Sequence, residues 1–238
     1  WTPVSDIVSA LEPVAPPTQR ALFGYGSTSG GKVSMTNLVS SSGVVAADVT
    51  GVGTARGDLA AAGYGSDKAI FGYGRTGSNL SMTNLVNNSG VVAADTTGVG
   101  TARWGLGAAN YGTDKAIFGY GTTGSNSALT NLVSSSGVVA SDTAGVGTAR
   151  YYTAGVSYGE DKAIFGYGYN GGNLSLTNLV SNLGVVSADV TGVGTARGYL
   201  AAASYGTDKG IFGYGYTGSN LSMTNLVSNT GVVASDVS

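Results

Sequence analysis

From Ala21 onward, short apolar segments alternate with clusters of Gly, Ser, Asn and Thr. Between Gly57 and Asp95 four segments stand out: Gly57–Tyr64, Lys68–Tyr73, Leu80–Val86 and Val91–Asp95. Their lengths and the turn-forming residues between them predict short β-strands. In 68–73, strand alternation puts Phe71 and Tyr73 on one face and Ile70 on the other. Residues 91–94 are apolar on both faces, which predicts a strand covered on both sides. The run Leu59-Ala60-Ala61-Ala62 has helix propensity, but Gly57 and Gly63 confine it to about five residues, too few for an isolated helix. It is better suited to a strand in a crowded place, where small side chains are needed.

The pattern recurs. Phe-Gly-Tyr-Gly begins at Phe23, Phe71, Phe118, Phe165 and Phe212. Thr-Asn-Leu-Val begins at Thr36, Thr83, Thr130, Thr177 and Thr224, always 47 residues apart. Val-Val-x-x-Asp ends at Asp48, Asp95, Asp142, Asp189 and Asp236, and Thr-Ala-Arg at Arg56, Arg103, Arg150 and Arg197. Asp-Lys recurs at Asp67-Lys68, Asp114-Lys115, Asp161-Lys162 and Asp208-Lys209. A fixed period of this size is the signature of a propeller, a solenoid or an array.

Two regions follow: residues 1–20 and the five repeats of residues 21–238. All four prolines lie in the first region, at Pro3, Pro13, Pro16 and Pro17, so it reads as a linker or arm. The fifth repeat is as apolar as those before it, whereas an open stack needs polar end units. This favours an all-β, five-bladed β-propeller of four-stranded repeats. Repeat one lacks the Ala-rich segment, so an N-terminal strand, Val4–Leu11, is expected to close the ring. A β-solenoid or a triple-chain β-spiral is the alternative.

Composition narrows the chemistry. The 238 residues include no Cys and no His, which excludes disulfides, the usual zinc sites and His- or Cys-based triads. A net charge of −2 provides no field for nucleic acid. No apolar run approaches the roughly 20 residues that span a bilayer. The first residue is Trp1, with no signal-peptide pattern after it, so a trimmed piece of a longer chain is expected. Glu12 and Glu160 are the only glutamates, and nothing sets two carboxyl groups apart as acid and base. The Gly-x-Gly strings are not followed by a helix, so they do not form a nucleotide loop. No enzyme, cofactor or metal site is expected.

The order Thr-Ala-Arg, Ala-rich strand, Asp-Lys-Ala-Ile-Phe-Gly-Tyr-Gly, Thr-Asn-Leu-Val, Val-Val-x-x-Asp resembles the layout of a kelch-type propeller repeat. Arg56 stands where that family has an Arg, and Gly72 and Gly74 where it has a Gly pair, here split by Tyr73. The family's Tyr-Asp pair and its fourth-strand Trp are absent. The repeat text is also similar to repeats in structural and tail-associated proteins of aquatic, cyanophage-like bacteriophages. That resemblance implies a virion component, such as a fibre, a baseplate appendage or a capsid decoration, and so a virion or extracellular location. The expected role is attachment or display within a homo- or hetero-oligomeric assembly, either docking to other virion proteins or touching a host-surface glycan. A soluble lectin-like propeller is the alternative. Nucleic acid and membrane insertion are not expected.

Charges that recur in every repeat are read as structural: ion pairs between blades and turn hydrogen bonds. Two positions instead change from copy to copy. One is Ser27, Arg75, Thr122, Tyr169 and Tyr216; the other is Gly57-Asp58, Trp104-Gly105, Tyr151-Tyr152 and Gly198-Tyr199. Folding the chain back near Gly65-Ser66 sets Gly57 opposite Arg75, so both positions share one edge of each blade. They change together, Asp58 with Arg75 and Tyr199 with Tyr216, as cross-strand pairs do. Local pairing is one reading of this rim. The other is a recognition surface made by Trp104, Tyr151, Tyr152, Tyr169, Tyr199 and Tyr216.

Overall fold

The computed structural model describes residues 21–238. They form fourteen strands and no helix. In repeat one, β1 (Ala21–Thr28) and β2 (Gly31–Val39) make a two-stranded sheet. Repeats two to five each make a three-stranded antiparallel sheet. These are β3 (Ala60–Tyr64), β4 (Lys68–Gly72) and β5 (Thr83–Val86); β6 (Gly107–Tyr111), β7 (Lys115–Gly119) and β8 (Thr130–Val133); β9 (Ala154–Tyr158), β10 (Lys162–Tyr169) and β11 (Asn173–Val180); and β12 (Ala201–Tyr205), β13 (Lys209–Gly213) and β14 (Thr224–Val227). The Asp-Lys strand is always central. The Ala-rich run is a strand, as its flanking glycines require. The turn after it spans Gly65–Asp67, between the paired Tyr64 and Lys68, and Gly65 and Ser66 both have positive φ (58° and 64°).

The fourth segment departs from expectation. Residues 91–96 add only two isolated bridges, Val86 to Val92 and Thr83 to Thr96, and Val91 is 61% exposed. The ladder is interrupted because the Asn84 side chain takes the Ala93 carbonyl (3.0 Å) and the Asp95 carboxylate (2.9 Å). The equivalent valines Val44, Val138, Val185 and Val232 are also exposed, so this segment is an edge and not a doubly covered strand.

The core lies between sheets. Each repeat packs face to face on the next, and one hydrophobic cluster fills each junction. Phe71, Phe118, Phe165 and Phe212 each press on the glycine that opens the Gly-Tyr-Gly of the preceding repeat. A Cβ on Gly24, Gly72, Gly119 or Gly166 would sit 2.6–2.9 Å from the ring above it. The tyrosine beside each glycine meets the same ring edge-on, with centroids 5.1–5.4 Å apart. Size is matched across junctions. Val156 replaces the alanine of the other repeats (Ala62, Ala109, Ala203), and Gly210 replaces the alanine that would face it. A Cβ on Gly210 would lie 2.9 Å from Val156.

The expected closing strand, Val4–Leu11, lies outside the described residues. Within them, the outer faces of repeats one and five do not cover each other. Phe23 is 63% and Tyr214 62% exposed, whereas Phe118, Phe165, Tyr120 and Tyr167 are fully buried.

Candidate functional site

Each sheet has two chemically distinct features: a clasp between repeats and an aromatic rim.

The clasp begins with an arginine at the entry to each of repeats two to five. Arg56 is completely buried. Its Nε donates to the Tyr73 carbonyl (2.9 Å), Nη1 to the Thr54 carbonyl (3.1 Å) and Nη2 to Asn84 Oδ1 (2.7 Å). Its guanidinium lies over the Tyr25 ring of the preceding repeat, 4.3 Å from the centroid. Asp95 stands 3.8 Å from Nη1 and accepts hydrogen bonds from the Thr54 amide (2.9 Å), the Thr54 hydroxyl (2.7 Å) and Asn84. Arg103, Arg150 and Arg197 repeat this arrangement with Asn131, Asn178 and Asn225. A buried guanidinium is tolerated only when its charge and donors are matched, and here they are. Burial tends to raise the Asp95 pKa, but hydrogen bonds from Thr54 and Asn84 and the Arg56 charge outweigh it and hold the carboxyl below the ordinary range. Asp142, Asp189 and Asp236 behave alike. Burial pushes the Tyr73 and Tyr120 phenols up to about 12.

The Asp-Lys pairs sit at the opposite end of the hairpins. Lys68 Nζ lies 3.0 Å from Asp67, and both are exposed. They also link repeats, since Gly65 N–H donates to the Asp114 carbonyl and Gly112 N–H to the Asp161 carbonyl, each at 2.7 Å.

The rim holds the variable pairs in the expected register. Isolated bridges join Gly57 to Arg75, Trp104 to Thr122, Tyr151 to Tyr169 and Gly198 to Tyr216. Arg75 Nε donates to Asp58 at 2.8 Å. The same side chains also stack between repeats. Arg75 lies over Trp104, 3.6 Å from the ring centroid. Trp104 meets Tyr151 and Tyr152 edge-on at 5.4 and 5.6 Å. Tyr152 stacks on Tyr199 with centroids 3.6 Å apart. Tyr169 and Tyr216 flank this row as edge-on partners of Tyr151 and Tyr199. All six predicted aromatics therefore belong to one ladder running along the stack. Trp104, Tyr151, Tyr152 and Tyr169 are half-buried; Tyr199 (59%) and Tyr216 (44%) are exposed.

The backbone beneath the ladder is strained. Asp58, Gly105, Tyr152 and Tyr199 occupy equivalent positions, all left-handed, with φ of 55°, 64°, 54° and 56°. Glycine adopts this conformation freely, and a side chain pays about 1–2 kcal/mol for it. Burial, with the Tyr199 phenol close by, pushes the Tyr152 phenol well above its ordinary pKa.

A cleft of 760 Å³ opens between repeats one and two, lined by Leu22, Leu38, Ala61, Phe71, Asp67 and Lys68 among others. Its charged residues are the turn pair found in the other repeats, so it holds no distinctive acid–base set. Among the described residues no cluster of three or more metal-ligating side chains occurs, and no helix is long and apolar enough to cross a membrane.

No protein-family model and no curated protein matches the chain.

Sequence reasoning placed the six aromatics on one edge but paired them only within a repeat. It missed Arg75 as the cationic end of the ladder. It also missed the Arg–Asn partnership across 28 residues, whose signal was the constant spacing between Thr-Ala-Arg and Thr-Asn-Leu-Val.

Proposed function

We propose that this protein is a non-catalytic binding scaffold, an arc of propeller-type blades whose aromatic rim attaches to a glycan on a host surface. A bacteriophage particle is its proposed setting, alongside other virion proteins. One observation carries the binding reading. Tyr152 and Tyr199 occupy a left-handed position that repeat three fills with Gly105. Strain kept where glycine is an available solution is a mark of function. The result is a row of flat rings, with Tyr199 and Tyr216 open to solvent, and flat aromatic faces suit the apolar faces of sugar rings.

Binding of the purified protein to an array of bacterial surface polysaccharides tests this, with Tyr199→Gly/Tyr216→Ala as the matched variant. Binding lost in the variant, with thermal stability retained, supports the rim as the site. Binding unchanged in the variant, or no binding by either protein, rejects it. Mass spectrometry of purified particles then separates a virion component from a free lectin.

A further inference from the structure

The outer faces of repeats one and five are the two halves of the junction that recurs inside the molecule. At every internal junction a phenylalanine from one repeat seats on the Gly-Tyr of the repeat before it. Among the described residues, repeat one offers the phenylalanine half unfilled, with Phe23 63% exposed. Repeat five offers the other half, with Tyr214 62% exposed and held at the same left-handed φ (62°) as its buried counterparts. Gly213 completes that half. Among the described residues a Cβ there would meet only Thr224 Cγ2, at an ordinary 3.6 Å, with no ring above it.

We propose that two copies of this chain join end to end, Phe23 of one seating on Gly213 and Tyr214 of the next. The occupant is named by shape: the receiving half is already the right shape for a Phe-bearing sheet, and this chain carries one. The two faces differ, so the contact is heterologous and each joined pair keeps one free face of each kind; growth is open-ended unless the geometry closes a ring. The joint is weaker than an internal one. Arg56 caps Tyr25 internally, but the residue 48 positions before Arg56, the step that separates Phe23 from Phe71, is Val8, which offers no guanidinium. Association is therefore expected to be reversible and concentration-dependent.

Sedimentation velocity over a concentration series of the full chain tests this, with Gly213→Ala and Phe23→Ala. The wild-type protein should grow in mass with concentration. Gly213→Ala adds one methyl that the single chain accommodates but a docked ring does not. It should keep its melting temperature and weaken association by about tenfold or more. Phe23→Ala should do the same. Mixing the two variants should restore pairs and nothing larger, because each supplies the face the other lacks. A wild-type monomer throughout, or assembly indifferent to Gly213→Ala, overturns the proposal. A monomer whose melting temperature falls with Gly213→Ala overturns it too, by showing that Phe23 reaches the same chain's Gly213. Glycan binding plays no part in these readouts, so the rim and the end faces stand or fall separately.

Discussion

The clasp and the rim come from the same short segment of each repeat: Arg150 precedes Tyr152 by two residues, and Arg197 precedes Tyr199 likewise. At the arginine, four copies are the same residue with the same three acceptors, to within about a tenth or two of an ångström. At the position two residues on, the copies are Asp, Gly, Tyr and Tyr on a shared left-handed backbone. The clasp is buried and its geometry admits one solution. The rim faces water, so the backbone alone is fixed and the side chain is free to differ. Fourfold sameness belongs to holding the stack together, and difference belongs to what the stack presents.

The largest effect that would break this contrast is at the clasp. Arg150→Ala should destabilise by about 3–5 kcal/mol, because the Tyr167 and Thr148 carbonyls and Asn178 Oδ1 lose a buried partner. Urea unfolding measures it; a loss comparable to a surface substitution would remove the clasp from the account of stability. The same clasp is accessible through pH. The folded pKa values of Asp95, Asp142, Asp189 and Asp236 lie below their unfolded values. Their stabilisation is complete above about pH 4 and is lost as pH falls through the lower folded values. On the alkaline side Tyr73 and Tyr120 must stay neutral, with folded values of about 12. Stability should therefore decline from about pH 10 upward. Thermal melts across both ranges, with tyrosinate absorbance followed in parallel, check the two limbs.

Next in size is Gly166→Ala, whose methyl would lie 2.7 Å from the Phe212 ring. Overpacking of this kind costs about 1–3 kcal/mol. The matched change in repeat five, at Gly213, should cost the single chain almost nothing, and equal losses at both sites would mean the fifth face is covered. A smaller effect of opposite sign is expected at Thr153. Its equivalents are Leu59, Leu106 and Leu200, and its hydroxyl is buried with no hydrogen-bond partner among the described residues. Thr153→Val should stabilise by about 1 kcal/mol, read from the shift in urea midpoint. Smallest is Tyr199→Gly alone. Relief of left-handed strain and loss of the stack on Tyr152 oppose each other, so stability should move by less than about 1 kcal/mol. A large loss would make the ladder a structural device.

Much of the fold was legible because it is local. The period, the Gly65-Ser66 turn and the Gly57–Arg75 register follow from turn chemistry and strand alternation within one repeat. What lay hidden depends on one repeat meeting another. Strand alternation put Tyr73 on the face of Phe71, but its positive φ, which tyrosine disfavours, turns it to the face of Ile70; there the edge-on contact with Phe118 and the Arg103 guanidinium compensate. The Tyr152–Tyr199 stack spans two repeats and has no local trace. The apolar 91–94 segment misled because a side chain interrupts its ladder: Asn84 takes the Ala93 carbonyl that a neighbouring strand would have used.

The exchange of bulk between Val156 and Gly210 has a further consequence. Near-identical modules invite slippage, in which one module docks where its neighbour belongs or trades places with a module of another chain. Val156 makes the junction between repeats four and five a keyed one. Opposite any module but the fifth, its methyls would meet an alanine Cβ instead of the space over Gly210. A single valine–glycine pair thereby gives an otherwise uniform series a fixed order and a sense of direction during folding.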